Sequence, residues 1–349
     1  VSSGGDTAHA ALGTGRARHA GPEIFLKSAA PPADLKPVRR AVAAFVSPLE
    51  SSPQAVLRRA VAGLLFVYAG ALLLERTVSG NGISPVAILM MAVCIAIWQE
   101  WGGRSMRDWG LVLVCFLGYA AGSNALPDIG AEVHYTPQID AEKLLFFGHL
   151  PTIWLQEHLH HGTGPLEVFS ILMYLSHFVV PGLLASLIWL YWPGRGFGDL
   201  LFGILIVSLL GEITFFLAPT APPWMAGDAG YIPHVSHVIK QGLYDLGLDS
   251  VAARKDAAGS YNLTAAVPSL HAAWPVIGLL VIWKHKLPKW LLGVQAAQAL
   301  GVAFAVVYAG EHYAVDVLAG VVYALVAWWI LGRLLALGNK RLERAREAA

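Results

Sequence analysis

The chain has 349 residues, with 24 Lys and Arg against 23 Asp and Glu, a formal net charge of +1, 56% hydrophobic residues and only 13% charged ones. Soluble domains carry about 25% charged residues, and a nucleic-acid binder needs a basic face far beyond +1. A soluble enzyme, a disordered chain and a nucleic-acid binder are therefore excluded, because the apolar residues fall in runs of about twenty, enough to cross a bilayer core of about 30 Å.

Residues 1–55, rich in Ala, Gly, Pro and Ser without a sustained period, read as a disordered cytoplasmic tail. No short apolar core follows a basic start and leads to a small-residue cleavage site, so no signal peptide is expected. Eight apolar runs follow, at roughly 57–75, 83–99, 109–126, 166–192, 197–218, 267–284, 289–308 and 312–335. In lipid such runs can only be helices, since an open strand would leave backbone groups unpaired. The fold class is all-α, a polytopic membrane bundle of about eight transmembrane helices. Between the third and fourth runs, 141–161 is amphipathic and broken by Gly148 and Pro151, which predicts an interfacial or re-entrant helix. Cys94 and Cys115 lie inside apolar runs and read as small core residues.

Orientation follows from the cations. With the N-terminus inside, 19 of the 24 Lys and Arg fall on the cytoplasmic side, leaving Arg76, Lys143, Lys240, Arg254 and Lys255 outside. Both termini are then cytoplasmic, and the long connections 127–165 and 219–266 face outward. Trp98, Trp101, Trp192, Trp283 and Trp290 lie near span ends, as interfacial anchors do.

The chemistry-bearing residues gather at one membrane face. The fifth run ends in Pro-Thr-Ala-Pro-Pro-Trp, residues 219–224; the sixth opens with Pro268, Ser269 and His271; the eighth opens with His312, Tyr313 and Asp316. His312 and Asp316 are i and i+4 and share a helical face. A carboxylate there can take the Nδ1 proton and leave Nε2 as a nucleophile. Pro268 suits a first helical position, and the turn around Ser269 then offers backbone N–H groups and a positive dipole end to a phosphate. His271 can protonate a departing alkoxide. Together these make a metal-independent phosphoryl-transfer site that needs no cofactor. A lone His-x-x-x-Asp or Pro-Ser-Leu-His is common; both at one face carry the argument.

These residues resemble the type 2 phosphatidic acid phosphatase superfamily over about 140–335. Pro268–His271 matches its second motif with Leu270 in place of Gly, and His312 with Asp316 matches the end of the third. The third-motif Ser and Arg positions are Ala305 and Val306, and the first motif has no counterpart. The spelling of 219–224, 268–271 and 312–316 is similar to the inositolphosphotransferase branch, that of inositol phosphorylceramide synthases.

The resemblance implies a six-helix lipid phosphatase-like core, with tail 1–55, N-terminal helices 56–138, catalytic membrane domain 139–336 and basic cytoplasmic tail 337–349. It implies His312 as the attacking group through a phosphohistidine, Asp316 as its orienter and His271 as acid then base. Ser269, Tyr313 and Trp224 are candidate substrate contacts, and Arg254 and Lys255 candidate replacements for the missing cations.

The expected activity is transfer of a phospho-alcohol headgroup, inositol phosphate by resemblance, from a phospholipid to a lipid or glycolipid hydroxyl at the outer face of the cell membrane. A lipid or polyprenyl phosphate phosphatase using the same three residues is the alternative. A transporter would place its ionisable residues at the bilayer midplane, and these sit at one end.

Outside that set, His158, His160 and His161 with His234 and His237 could form a zinc site or a polar lip, and the lip is the preferred reading. His177 and Glu212, inside spans, need partners; His177 either lines the site or bonds a neighbouring helix.

Overall fold

A computed structural model describes residues 53–78, 84–98, 104–125, 132–248 and 263–347. Arg254, Lys255 and most of the N-terminal tail lie outside the described residues. The helices, in order, are α1 (Pro53–Val78), α2 (Pro85–Trp98), α3 (Arg104–Ala125), α4 (Thr136–Leu145), α5 (Pro151–Leu159) and α6 (Pro165–Tyr191). They continue with α7 (Phe197–Leu217), α8 (Pro223–Asp228), α9 (Val238–Asp245), α10 (Leu270–Lys284), α11 (Lys289–Tyr308) and α12 (Ala314–Glu347).

Each of the eight apolar runs is a helix, in an integral membrane protein built as a helical bundle. Five are long and apolar enough to cross a bilayer: Pro53–Arg76, Pro165–Tyr191, Phe197–Leu217, Lys289–Tyr308 and Ala314–Lys340. The other three are shorter apolar stretches, Val86–Ile97, Asp108–Gly118 and Leu270–Lys284. The sixth run thus starts later than its hydropathy suggests, because residues 263–269 are held by loop contacts described below. The segment expected to be interfacial is two short helices, α4 and α5, separated by a turn in which Phe147 and Gly148 take φ of 54° and 88°. Several of its apolar side chains turn outward, with Leu144 81% and Phe147 93% exposed.

The centre of the bundle is α6, α7, α10 and α12, joined through Leu184, Ile188, Leu200, Val207, Ile277, Val281, Ala324 and Ala327. Close approach depends on small residues. A Cβ at Gly203 would sit 2.8 Å from Ile277 Cγ2, and one at Gly320 would fall inside contact distance of the Ser269 carbonyl oxygen. The hairpin of α1 and α2 with α3 packs separately around Ala62, Ala69, Met90, Cys94 and Leu111, and meets the centre at Phe202 and Leu331.

At the end of α10 away from His271, Asp199 ties three helices. It accepts from Lys284 Nζ at 2.8 Å, pairs with His285 Nε2 at 2.8 Å and accepts from Gln54 Nε2 of α1 at 3.1 Å. Arg58 of α1 pairs nearby with Asp108 of α3.

Candidate active site

His312 is placed by the way α11 stops. Gly310 takes φ of 76°, which an L side chain resists. Glu311 N–H then returns to the Val306 carbonyl at 3.0 Å and Gly310 N–H to Val307 at 3.2 Å, a Schellman ending. His312 N–H adds a bond to the same Val306 carbonyl at 3.1 Å. The chain re-enters helix at α12 after only a few residues, so His312 is buried at 5% exposure. Ala305 and Val306, the positions of the family's Ser and Arg, are fully buried core residues.

His271 lies in the first turn of α10. Ser269 is the N-cap, so Pro268 precedes the cap and is not the first helical residue that its spacing predicts. Ser269 donates its N–H to the Asp316 carbonyl at 3.0 Å, which pins the start of α10 to the start of α12. The first helical bond of α10 runs from Ala273 N–H to Ser269 O at 3.1 Å. The preceding N–H groups form the positive end of the helix.

The two rings meet. His271 Nδ1 lies 3.1 Å from His312 Nε2, with ring centroids 5.2 Å apart. His312 Nδ1 lies 2.9 Å from the Ala266 carbonyl oxygen. A carbonyl only accepts, so Nδ1 carries the proton and Nε2 keeps its lone pair for the His271 N–H. Asp316 stands 3.7 Å from Nδ1, within charge range but beyond a hydrogen bond. Its Oδ2 instead accepts the Tyr313 N–H at 2.8 Å, closing the first turn of α12. The orienting bond expected from Asp316 is thus made by a backbone carbonyl, because the carboxylate is engaged as a helix cap.

The Pro-Thr-Ala-Pro-Pro-Trp segment explains why Ala266 is there. Thr220 N–H bonds Thr264 O at 2.7 Å, Ala266 N–H bonds Thr220 O at 3.3 Å, and Val267 N–H reaches Thr220 Oγ1 at 3.1 Å. On its other side, Ala221 N–H takes the His134 carbonyl at 3.0 Å. Trp224, next along, donates its N–H to Gly310 O at 3.2 Å and stacks flat on His237 at 4.6 Å. His237 Nε2 pairs with Glu311 Oε1 at 2.9 Å. Trp224 therefore walls the turn that carries His312.

His177 belongs to this site. Its ring centroid is 4.4 Å from that of His271 and 4.3 Å from Trp274, and Tyr174 stacks on the opposite neighbour, His271, at 4.7 Å. Glu142 of α4 is fully buried and accepts the Ala314 N–H at 2.6 Å. Burial, with the nearby Asp316, pushes its carboxyl up to about 7. Tyr313 is also fully buried, and burial with the neighbouring Asp316 and Glu142 carboxyls drives its phenol upward. Sequence spacing gives no sign of Glu142, which is 172 residues from its partner.

The histidines of 158–161 disperse. His158 Nδ1 bonds Trp154 O at 2.8 Å, whereas His160 Nδ1 bonds Glu167 at 3.0 Å, where the Tyr308 hydroxyl also donates. Among the described residues, no group of three or more His, Cys, Asp or Glu is arranged to hold a metal.

The PAP2 superfamily model matches residues 138–330, which hold all of these side chains. The chain is 29% identical over 176 residues to the phosphoinositol dihydroceramide synthase of Bacteroides thetaiotaomicron, covering 48% of this chain and 56% of that protein. It is 25% identical over 181 residues to the inositol phosphorylceramide synthase of Candida albicans, covering 48% of this chain and 36% of that protein. The chain thus spans about half or less of the length of these curated relatives. No solved structure matches. With more than half of its length matched, and the paired histidines inside the match, the chain belongs to the PAP2 superfamily.

Proposed function

We propose that this chain is a lipid phosphotransferase that moves a phospho-alcohol headgroup, inositol phosphate, from a phospholipid to a lipid or glycolipid hydroxyl. The observation that carries the reading is the 3.1 Å pair of His271 Nδ1 and His312 Nε2, with His312 Nδ1 tied to the Ala266 carbonyl. That arrangement leaves His312 Nε2 as the nucleophile and sets a second imidazole beside it. The names and similarity of the two synthases support the donor headgroup and a ceramide-type acceptor.

In the first step the lone pair of His312 Nε2 attacks the donor phosphorus. The phosphorus–oxygen bond to the leaving diacylglycerol breaks, and His271, entering the cycle as the imidazolium, supplies the proton that neutralises the alkoxide and is left as the neutral imidazole. The resting separation of 3.1 Å has no room for phosphorus, so the donor phosphate displaces the His271–His312 bond as it enters. The phosphohistidine ring gains positive character, which the Asp316 carboxylate at 3.7 Å offsets. In the second step His271 takes the proton from the acceptor hydroxyl, its oxygen attacks phosphorus, and the phosphorus–nitrogen bond breaks to restore His312. The positive first turn of α10 seats the phosphate oxygens, with Arg254 and Lys255 proposed as further cations. Tyr313 and Trp224 are proposed substrate contacts, and Ser269 a phosphate contact.

The catalytic unit corresponds to 139–336, and the active site faces outward across the cell membrane with both termini inside. Support for the orientation is the cationic character of the opposite end, where Arg58, Arg195, Lys284, Lys286 and Lys289 gather at helix ends.

The test is turnover by purified protein in liposomes holding phosphatidylinositol and dihydroceramide, with products identified by mass spectrometry. Phosphoinositol dihydroceramide is expected, with none from His312→Ala. Inorganic phosphate as the dominant product, or retained transfer by His312→Ala, overturns the reading.

A further inference from the structure

Buried polar atoms without a hydrogen-bond partner are uncommon in folded proteins, and each marks a place for water or a ligand. Among the described residues they concentrate beside the paired histidines. Both amide atoms of Gln138, Oε2 of Glu142, Oγ1 of Thr152, the phenol of Tyr313 and Oδ1 of Asp316 are buried without a hydrogen bond. Gln138 is 4% exposed, Thr152 1%, and Glu142, Tyr313 and Asp316 0%.

These groups share one location. Gln138 and Glu142 stand one turn apart on α4 and face the same way. The second oxygen of Glu142 holds the Ala314 N–H of α12, between Tyr313 and Asp316 in sequence. Ile139, between Gln138 and Glu142, packs with Leu150 and Tyr313 in a single apolar cluster, which brings the opening of α5 and Thr152 alongside. Tyr313 follows His312 directly, which sets these groups beside the turn that carries the attacking nitrogen.

The donor and acceptor pattern selects the ligand. Gln138 Nε2 can only donate; Gln138 Oε1 can only accept; the Tyr313 and Thr152 hydroxyls do both. An ammonium group only donates and leaves the amide N–H groups unmet, and a trimethylammonium satisfies nothing. A free phosphate meets no cation among these groups and brings its charge against the Asp316 carboxyl. Hydroxyls that each give and take a proton meet every atom. The high proton affinity of Glu142 suits an uncharged ligand.

We propose that Gln138, Glu142 and Tyr313 form a headgroup subsite that binds the free hydroxyls of a polyhydroxylated alcohol esterified to the phosphate. The proposal rests on the phosphotransferase reading above and adds the residues that select its donor.

The experiment compares the full chain with Gln138→Leu and Tyr313→Phe in liposomes, using dihydroceramide as acceptor and either phosphatidylinositol or phosphatidylethanolamine as donor. Wild type is expected to prefer phosphatidylinositol. Each variant is expected to raise KM for phosphatidylinositol by about tenfold, the cost of a hydrogen bond to a buried group, and Gln138→Leu to leave kcat and the ethanolamine donor little changed. Tyr313→Phe keeps the ring in its apolar cluster and loses only the unbonded oxygen, so it tests the subsite without risking the fold. A second readout needs no turnover: myo-inositol 1-phosphate should raise the melting temperature of wild type more than that of Gln138→Leu, while inorganic phosphate shifts both alike.

An unchanged KM for phosphatidylinositol, equal loss on both donors, a wild-type preference for phosphatidylethanolamine, or equal stabilisation of both proteins by inositol phosphate overturns the subsite and leaves phosphotransfer standing. Release of inorganic phosphate as the only wild-type activity overturns the phosphotransferase reading instead.

Discussion

Glu142→Gln offers a measurement of how much the buried carboxyl beside the turn that carries His312 costs the folded protein. Glutamine keeps the Oε1 acceptor for the Ala314 N–H and removes only the ionisation. In the folded chain the carboxyl binds its proton up to about pH 7, against an ordinary 4.5, because burial and Asp316 disfavour its charge. A carboxyl with a raised folded value is protonated more readily in the folded than in the unfolded state. Stability is therefore unaffected below about pH 4.5, falls as pH climbs to about 7, and stays at the lower level above that. The full difference is about 3 kcal/mol at about 1.4 kcal/mol per pH unit. Thermal melts followed by tryptophan fluorescence should show Glu142→Gln matching wild type at the acid end and melting higher by about 5 °C or more at pH 8. Comparing the two proteins cancels the titrating groups that do not interact with Glu142. Parallel melting curves across that range, or a variant less stable at pH 8, would refute the burial argument.

Gly320→Ala should lower transfer by at least about a hundredfold, because the new methyl group meets the Ser269 carbonyl and pushes the two helix starts apart; turnover at full expression checks it. Thr220→Val strands the Val267 N–H and should cost about 1–3 kcal/mol, read as a lower melting temperature together with slower turnover as Ala266 loosens. Asp199→Ala should cost about 2–3 kcal/mol, less than a fully enclosed pair because Lys284 is 43% exposed, and should leave KM unaltered in detergent assays. Dialysis against EDTA should leave the transfer rate intact, and a loss restored by zinc would contradict the metal-free mechanism.

The helices were legible because membrane spans announce themselves as continuous apolar runs, and His271, His312 and Asp316 because their spacings carry chemistry. The deciding contact, Ala266 carbonyl to His312 Nδ1, involves a backbone oxygen that any residue type would supply, so no spelling of the sequence could point to it. Thr220 sits in a segment that stands out only as rich in Pro; its role emerges when residues 264–267 fold across it. His177 was visible as an ionisable group in a span, yet its pairing with His271 required the relative rotation of α6 and α10. Glu142 lies in a stretch that reads as amphipathic surface and Gln138 just before it, and their inward face depends on where α12 begins. Pro268 suggested a helix start one or two residues early, because a cap and a first turn favour similar residues.

The brevity of α10 bears on how substrates arrive. Its 15 residues rise about 22 Å, while lipid tails fill about 30 Å. If Trp283 and Lys284 stand at one headgroup boundary, the far tip of the helix ends below the other. Reacting oxygens would then be met at the level of the glycerol or sphingoid backbone. On the proposed phosphotransfer, two hydrophobic substrates could approach sideways, exchange their polar cargo and diffuse away without lifting a chain into water.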